Sequence, residues 1–384
     1  MNYPQKAMRR RGLGLGIILL LALVVVAAGC RTGRLRGENY DASAEPYIRR
    51  NVPADVITTG DRVAYRVILV GDTGEPVPDD PTLAAIGRWA VPQERAAVVL
   101  LGDNLYPDGL TADDRARGEA ILRQQLAATS ALRIFVPGNH DWGPSPQDWT
   151  GAHVVAQQEF VLAWPEGDVD FLPRDGCAGP AVRELLKPGD GLEQGIAVVA
   201  IDWMPWFSPV ADPSKCPDGD FGTRIDAAFS ALKRHFVIVV SHFPLRSGGT
   251  RAGFSRGFII DRFIDFYHLL GLRPPFDMYH PQYMVLAEQV QDALARHRPL
   301  VYAAGHDHSL QLFEADEVAR MYIVSGAGSA GKVSPVTAVA GTIFAHAVPG
   351  FAVLDFAIHD GVDTPVVRIV RTGQEVPVFQ MRIP

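Results

Sequence analysis

The stretch LLGDNLY, residues 100–106, ends an apolar run on a turn and then presents Asp103, Asn104 and Tyr106. A simple turn followed by a surface tyrosine would explain it, because Asp and Asn form turns through local hydrogen bonds. Four further apolar runs, however, also end on a polar side chain: RVILVGD (66–72), LRIFVPGN (132–139), FVIVVSH (236–242) and PLVYAAGH (299–306). The repeated pattern of an apolar run followed by a polar side chain indicates the fold class.

Continuous runs rich in Val, Ile and Leu predict buried β-strands. The segments between them have helical spacing, at 82–90, 113–129, 222–234 and 282–297. Strands that alternate with helices predict an α/β sheet, in which ligands bind at the carboxyl ends of the strands. The tail, 344–384, alternates apolar and polar residues and predicts closing antiparallel strands.

The residues that end the five runs share one chemistry. Each is a hard oxygen or imidazole donor, and together they form a metal-ligand set: Asp72, Asp103, Asn139, His242 and His306. Any one of them alone would be explained as a turn residue. Five together predict a metal site.

Five blocks in order, VGDTG, LGDNLY, PGNHD, SHFP and GHDHSLQ, resemble the calcineurin-like metallophosphoesterases. Within them the chain is most similar to the low-molecular-weight purple (tartrate-resistant) acid phosphatases, over about residues 62–330. The resemblance implies a four-layer α+β fold, a central β-sandwich of two mixed sheets flanked by helices. It also implies hydrolysis of a small phosphorylated substrate by a metal-bound hydroxide.

Two metal ions ~3.5–4 Å apart can clamp the attacking and leaving oxygens of a phosphoester. Asp103 is the natural bridging ligand; Asp72 and His308 would complete one metal, and Asn139, His242 and His306 the other.

Most of the family has Asp-x-His in the first block, whereas this chain has Asp72-Thr73-Gly74. Purple acid phosphatases lack the same histidine and use a tyrosine at the position of Tyr106. Because tyrosinate is a hard anionic ligand, the resemblance implies Fe(III) with a divalent partner, Fe, Zn or Mn. The alternative is a packing tyrosine outside the ligand shell.

Further site residues follow from the resemblance. His140 would contact the phosphoryl oxygens or protonate the leaving group, with Asp141 orienting its ring. The histidine that purple acid phosphatases carry after the SHFP block is replaced here by PLRSGGTRAGFSRG (244–257). Arg246, Arg251 and Arg256 are candidate phosphate contacts, since guanidinium matches phosphate in a bidentate fork. A solvated loop is the alternative, and His268 and His280 are interpreted as ordinary loop histidines.

The N-terminus predicts export. A basic segment and the apolar stretch 13–28 precede Cys30, as in a signal peptide with a lipidation site; an uncleaved membrane anchor is the alternative. We therefore expect a membrane-anchored protein of the periplasm or cell surface. The predicted domains are the signal (1–30), a flexible tether (31–60) and a metallophosphoesterase domain (61–384) with an inserted loop (246–281).

The composition bears on the possible binding partners and on the cysteines. The 384 residues carry a net charge of −7, which argues against a basic nucleic-acid-binding surface. Cys177 and Cys216 lie in Pro/Gly-rich segments, and outside the cytoplasm they predict one disulfide. Two unpaired thiols are the alternative.

GAGSAGKV (326–333) nearly spells a P-loop, but Val333 replaces the Mg²⁺-binding hydroxyl and Pro335 stands where a helix should run. Three functions remain open. They are a phosphomonoesterase, a phosphodiesterase on nucleotides or lipid headgroups that uses the same metals, and a catalytically quiet surface lipoprotein.

Overall fold

The computed structural model describes residues 40–50, 62–252 and 276–384. The predicted signal with Cys30, parts of the tether, and the centre of the insertion with Arg256 and His268 lie outside this range. Within the described residues, no helix combines the length and apolar character needed to cross a membrane.

The strands and helices follow one another along the chain in the order that the apolar runs predict. The strands are β1 (Tyr40–Asp41), β2 (Tyr47–Ile48), β3 (Arg62–Val70), β4 (Ala96–Leu101), β5 (Leu132–Val136), β6 (Val169–Phe171), β7 (Ala181–Leu186), β8 (Gly195–Ala200), β9 (His235–Val240), β10 (Val301–Ala304), β11 (Leu310–Phe313), β12 (Tyr322–Ser325), β13 (Thr337–Ala338), β14 (Thr342–His346), β15 (Gly350–His359), β16 (Val362–Arg371) and β17 (Phe379–Arg382). The α-helices are α1 (Pro81–Trp89), α2 (Arg115–Ala127), α3 (Ala152–Leu162), α4 (Met204–Phe207), α5 (Phe221–Ala231) and α6 (Pro281–Ala295).

Two large mixed sheets carry the fold. One has the order β17-β16-β15-β3-β4-β5-β6, in which β3 to β6 are parallel and the tail strands antiparallel. The other has the order β2-β14-β11-β12-β10-β9-β8-β7, with a parallel centre of β8, β9, β10 and β12. The predicted mixed α/β architecture is confirmed.

Successive side chains along a strand point to opposite faces of the sheet, and burial of both faces explains why the apolar runs are continuous. Leu69 and Val99 pack with Ile196 and Ile238 in one buried cluster that takes side chains from both sheets. Their chain neighbours on the opposite face, such as Ile68 and Val98, belong to a second cluster shared with the helices. Because both faces of the central strands are covered, no position in them needs a polar residue.

The helices begin where local chemistry favours a helix start. Asp80 accepts hydrogen bonds from the amides of Thr82 and Leu83 at the start of α1, next to Pro81 in the first turn. His280 caps α6 in the same way, by accepting from the amide of Gln282. His280 therefore has a structural role at a helix end.

Part of the segment predicted to be a tether is paired with the domain. β1 pairs with β13, β2 pairs with β14, and Ala42 between them is buried. The polar composition concealed this, because short edge pairings use backbone groups that any residue supplies. Elsewhere, Cys177 and Cys216 form a disulfide, with their Cα atoms 4.9 Å apart.

Candidate metal centre

The predicted ligands follow strands of both sheets. Asp72, Asp103 and Asn139 come just after β3, β4 and β5, and His242 and His306 just after β9 and β10. The two sheets meet at this edge: the amide of Gly71 donates to the Ser325 carbonyl oxygen, and the amide of His306 donates to Asp72 Oδ2 at 2.9 Å.

Three of these ligands have an unusual backbone conformation. Asp72, Asp103 and His306 have φ of 60°, 52° and 69°, in the left-handed region that non-glycine residues seldom adopt. Such residues cluster at functional sites, where the surrounding structure enforces them. A glycine precedes each of them, and a Cβ on Gly305 would lie 2.7 Å from Asp72 Oδ2. The Gly-Asp and Gly-His pairs thus allow the strand ends to approach each other.

His242 and His306 face each other, each through one ring nitrogen. His242 Nδ1 lies 2.9 Å from the Leu101 carbonyl oxygen, and His306 Nε2 lies 3.0 Å from that of Phe276. Because a carbonyl only accepts, these two nitrogens carry the ring protons. In two neutral rings the facing atoms, His242 Nε2 and His306 Nδ1, carry lone pairs, and they lie 3.1 Å apart. Burial, together with the charges of His242 and Arg251, lowers the pKa of His306 well below its usual value, which keeps this ring neutral.

A second cluster surrounds Asp72. Tyr106 Oη donates to Asp72 Oδ1 at 2.9 Å and lies 3.2 Å from His308 Nε2. His308 Nδ1 lies 2.6 Å from the Lys332 carbonyl oxygen and donates to it, while Nε2 lies 3.2 Å from Asp72 Oδ1. Burial opposes protonation of the ring, but the charge of Asp72 outweighs burial and raises the pKa of His308. One donor atom each of Asp72, Asp103 and His308 lie within 4.8 Å of one another.

Asp103 joins the two clusters. Its Oδ1 lies 3.4 Å from His242 Nε2 and accepts from the His140 amide at 2.9 Å. Burial opposes its ionisation, but the neighbouring histidines and the hydrogen bond from the His140 amide outweigh burial and lower its pKa. Asn139 Oδ1 lies 3.1 Å from His242 Nε2. The structure thus brings all seven predicted ligands together.

This donor set fits metal cations. Lone pairs that face each other or a carboxylate repel, and a cation between them removes the repulsion. In each of the three histidines the second ring nitrogen donates to a backbone carbonyl, the usual outer-shell support of a ligand histidine. Burial and the nearby Asp103 and Asp72 raise the pKa of Tyr106 well above its usual value. A phenolate ligand at this position therefore requires the charge of a bound cation.

The predicted contact between Asp141 and the His140 ring is wrong. Asp141 is fully buried and accepts hydrogen bonds from the amides of Gly138, at 2.7 Å, and Leu105, at 3.1 Å. His140 Nδ1 instead contacts the Pro107 carbonyl oxygen, and its ring lies edge-on to Tyr106, with centroids 4.6 Å apart. Asp141 therefore stabilises the loops that carry the ligands, and the Pro107 carbonyl oxygen contacts the His140 ring in its place.

Asn104, in the motif LGDNLY, belongs to the same support. Its side chain is fully buried and donates to the Val136 carbonyl oxygen at 2.8 Å and to Asp141 Oδ2 at 3.2 Å. Gln157 also donates to Asp141, and Gln125 donates to the carbonyl of Asn104. Asn104 and Asp141 could be noticed in the sequence because they lie inside motifs, whereas no motif marks the two glutamines, which lie on helices.

The two candidate arginines within the described residues occupy different places. Arg246 pairs with Asp316 and lies over the Tyr322 ring, 4.9 Å from its centroid, which occupies its guanidinium. Arg251 is half-buried, and its amide donates to Asp307 Oδ1 at 2.9 Å. Asp307, between His306 and His308, thereby holds the arginine loop against the ligand loop, and the charge of Arg251 reaches His306.

The chain belongs to the calcineurin-like phosphoesterase family, whose model matches residues 65–310. This range covers more than half of the chain and contains all seven ligands. The family consists of metal-dependent phosphoester hydrolases and typically binds two metal ions. No curated protein sequence matches the chain.

Solved structures similar to this chain have low sequence identity to it. GAP50, the anchor in the inner membrane complex of Plasmodium, is 17% identical with a TM-score of 0.50, over 84% of this chain and 89% of that one. A dimetal phosphatase from Danio rerio is 15% identical with a TM-score of 0.44, over 84% and 99% of the two chains. The calcineurin-like phosphoesterase YfkN from Bacillus subtilis is 13% identical with a TM-score of 0.41, over 82% and 92%.

Proposed function

We propose that the protein is a phosphomonoesterase of the acid-phosphatase type that works with a dinuclear metal centre. The observation that carries the proposal is the pair of facing lone pairs on His242 and His306, beside the cluster of Asp72, Tyr106 and His308. Two donor groups that share Asp103 favour two cations over one. A protein that kept this fold for binding alone would have no need of seven converging donors.

Each group of residues has a distinct task in this proposal. One ion would be bound by Asp72, Tyr106 and His308, and the other by Asn139, His242 and His306. Asp103 would bind both ions. When bound, the ions supply Lewis acidity to a phosphate ester and to the attacking water. The hard phenolate of Tyr106 favours Fe(III) at the first position, with divalent Fe, Zn or Mn at the second.

His140 is the proposed proton donor to the leaving group. Its ring is partly exposed beside Tyr106, while its backbone amide is bonded to Asp103, so it borders the ligand cluster without belonging to it. The Pro107 carbonyl accepts from Nδ1, which sets the orientation of the ring and leaves Nε2 for a substrate oxygen. Arg251 is the proposed counter-charge to the phosphate, because its amide is bonded to Asp307, between two ligand histidines, and its charge acts on both of them.

We also propose that the protein is exported and held at a membrane through lipid on Cys30. The motif at residues 27–30 and the apolar stretch before it support this placement. Labelling with a radioactive fatty acid, compared between the native chain and Cys30→Ala, tests it. A label that persists in Cys30→Ala overturns it.

The function is tested with matched esters. The chain from residue 31 onward, with its metal content measured, is assayed on 4-nitrophenyl phosphate and on bis(4-nitrophenyl) phosphate between pH 4 and pH 8. We expect a higher kcat/KM for the monoester, and the opposite order would identify a phosphodiesterase. A metal-loaded protein that hydrolyses neither ester would support the quiet binding protein.

A further inference from the structure

The near-P-loop segment, residues 326–333, brings a lysine to the edge of the metal centre. After β12 the chain forms one 3-10 turn, Ala330–Lys332. The Lys332 ammonium lies 4.1 Å from the centroid of the Tyr106 ring. It also pairs with Glu75 Oε2 at 2.9 Å, and the lysine side chain keeps 29% of its surface exposed.

The segment does not need this ion pair to hold its position. Ser329 Oγ donates to the Asp72 carbonyl oxygen at 2.6 Å, and the amide of Gly328 donates to the Gly71 carbonyl oxygen at 3.1 Å. The backbone carbonyl of Lys332 fixes His308. Glu75, by contrast, is 53% exposed at its side chain, and exposed ion pairs contribute little to stability. The charge of Lys332 is therefore free to serve another purpose.

The position of the ammonium suggests that purpose. Tyr106 has the Lys332 ammonium on its ring face, His140 at its side, and the acid Asp72 on its hydroxyl. One aromatic ring thus separates the cation from the metal ligands. A phosphate bound at the centre would place its remaining substituents near Lys332, where Glu75 stands as an anion that a ligand can displace.

We propose that Lys332 is a specificity-determining residue that binds a second anionic group of the substrate. The preferred substrates are then phosphate esters with another phosphate or a carboxylate a few bonds from the scissile phosphate. This inference rests on the proposed function. It assigns a role to the segment that resembles a P-loop, and that role is recognition of an anion beside the reacting phosphate.

The test compares two esters that differ by one carboxylate, 3-phosphoglycerate and glycerol 3-phosphate. Steady-state kinetics are measured for the metal-loaded native protein, Lys332→Met and Lys332→Arg. We expect Lys332→Met to raise KM for 3-phosphoglycerate about tenfold, since a charge-assisted hydrogen bond is lost. The change for glycerol 3-phosphate should be threefold or less, and Lys332→Arg should restore most of the preference.

A matched control is Lys187→Met, because Lys187 is an exposed lysine after β7, beside the start of β8 and thus away from the carboxyl ends. Glu75→Gln should lower KM for 3-phosphoglycerate, since it removes the competing anion. Equal changes for both esters in Lys332→Met, or a preference that survives it, would overturn the proposal.

Calorimetric binding of 3-phosphoglycerate separates this result from the proposed function. If the native protein turns over neither ester, a tenfold weaker Kd in Lys332→Met still supports the anion site, and the assay on 4-nitrophenyl phosphate decides the hydrolase proposal separately. An unchanged Kd overturns the anion site. Circular dichroism and metal content, measured on every variant, ensure that folded and loaded proteins are compared.

Discussion

His242 Nε2 and His306 Nδ1 lie 3.1 Å apart, and in each ring the other nitrogen donates to a backbone carbonyl. Two neutral imidazoles would normally rotate or exchange a proton to avoid this contact. Here the Leu101 and Phe276 carbonyls prevent it, and both rings are buried. The protein thus maintains an arrangement that is favourable when a cation lies between the rings.

The first prediction concerns this pair. His306→Ala should lower kcat/KM at least ~100-fold and reduce the bound metal, because it removes a donor from the second ion. The melting temperature should stay close to that of the native protein measured in chelator. His280→Asn is the control, since Asn also caps helices and His280 serves α6. Near-native turnover in His306→Ala would show that the metal assignment is wrong.

The second prediction concerns the identity of the ion at Tyr106. Protein purified in air should absorb visible light through charge transfer from tyrosinate to Fe(III), and Tyr106→Phe should lose the band. The cause is the hardness of phenolate, whose ionisation here depends on the cation, because burial and nearby acids raise the pKa of the free side chain. A colourless but active, metal-loaded protein would instead place Tyr106 outside the ligand shell.

The third prediction separates His140 from Asp141. His140→Ala should lower kcat about 10²- to 10⁴-fold, the usual contribution of a proton donor, with little change in stability. Asp141→Ala should lower the free energy of unfolding by about 2–4 kcal/mol, because buried amides of Gly138 and Leu105 lose their acceptor. Chemical denaturation alongside kinetics distinguishes them. A fully stable Asp141→Ala with a shifted pH profile would favour the original prediction that Asp141 orients the ring.

Five of the seven candidate ligands could be located from the sequence because each of the five follows a strand, whereas Tyr106 and His308 came from the resemblance of the motifs. An apolar run fixes the strand, the strand end fixes the edge of the sheet, and parallel strands bring their ends together at that edge. Asp72 and His306 are 234 residues apart and follow strands of different sheets, so their contact depends on the packing of the two sheets, which only the family resemblance implied. The alternation of the tail likewise predicted the antiparallel β15, β16 and β17.

Other features depend on contacts that no sequence spacing encodes. The role of Asp141 follows from which amides point at it, and the roles of Gln125 and Gln157 follow from the faces of α2 and α3 that meet the ligand loops. The pairing of β1 with β13 joins residues nearly 300 positions apart through backbone groups alone. The ion pair between Arg246 and Asp316 likewise arises from tertiary packing.

The last prediction concerns a buried acid behind the centre. Asp202 is 1% exposed, and its carboxylate accepts from Trp142 Nε1 and from the amide of Met204, each at 2.9 Å. Burial raises its pKa to about 7. The unfolded chain releases this proton near pH 4. Between these values the folded state binds more protons, so its stability decreases as the pH rises from about 4 to 7.

Asp202→Asn removes the titrating group and keeps one acceptor. The difference in unfolding free energy between native protein and Asp202→Asn should therefore shift by about 2–4 kcal/mol in favour of the variant from pH 4.5 to pH 7.5. Urea denaturation at several pH values measures it, and Asp190→Asn, at an exposed position, is the control. A difference that stays constant with pH would mean that Asp202 is ionised throughout this range, with its charge balanced by the hydrogen bonds from Trp142 and Met204.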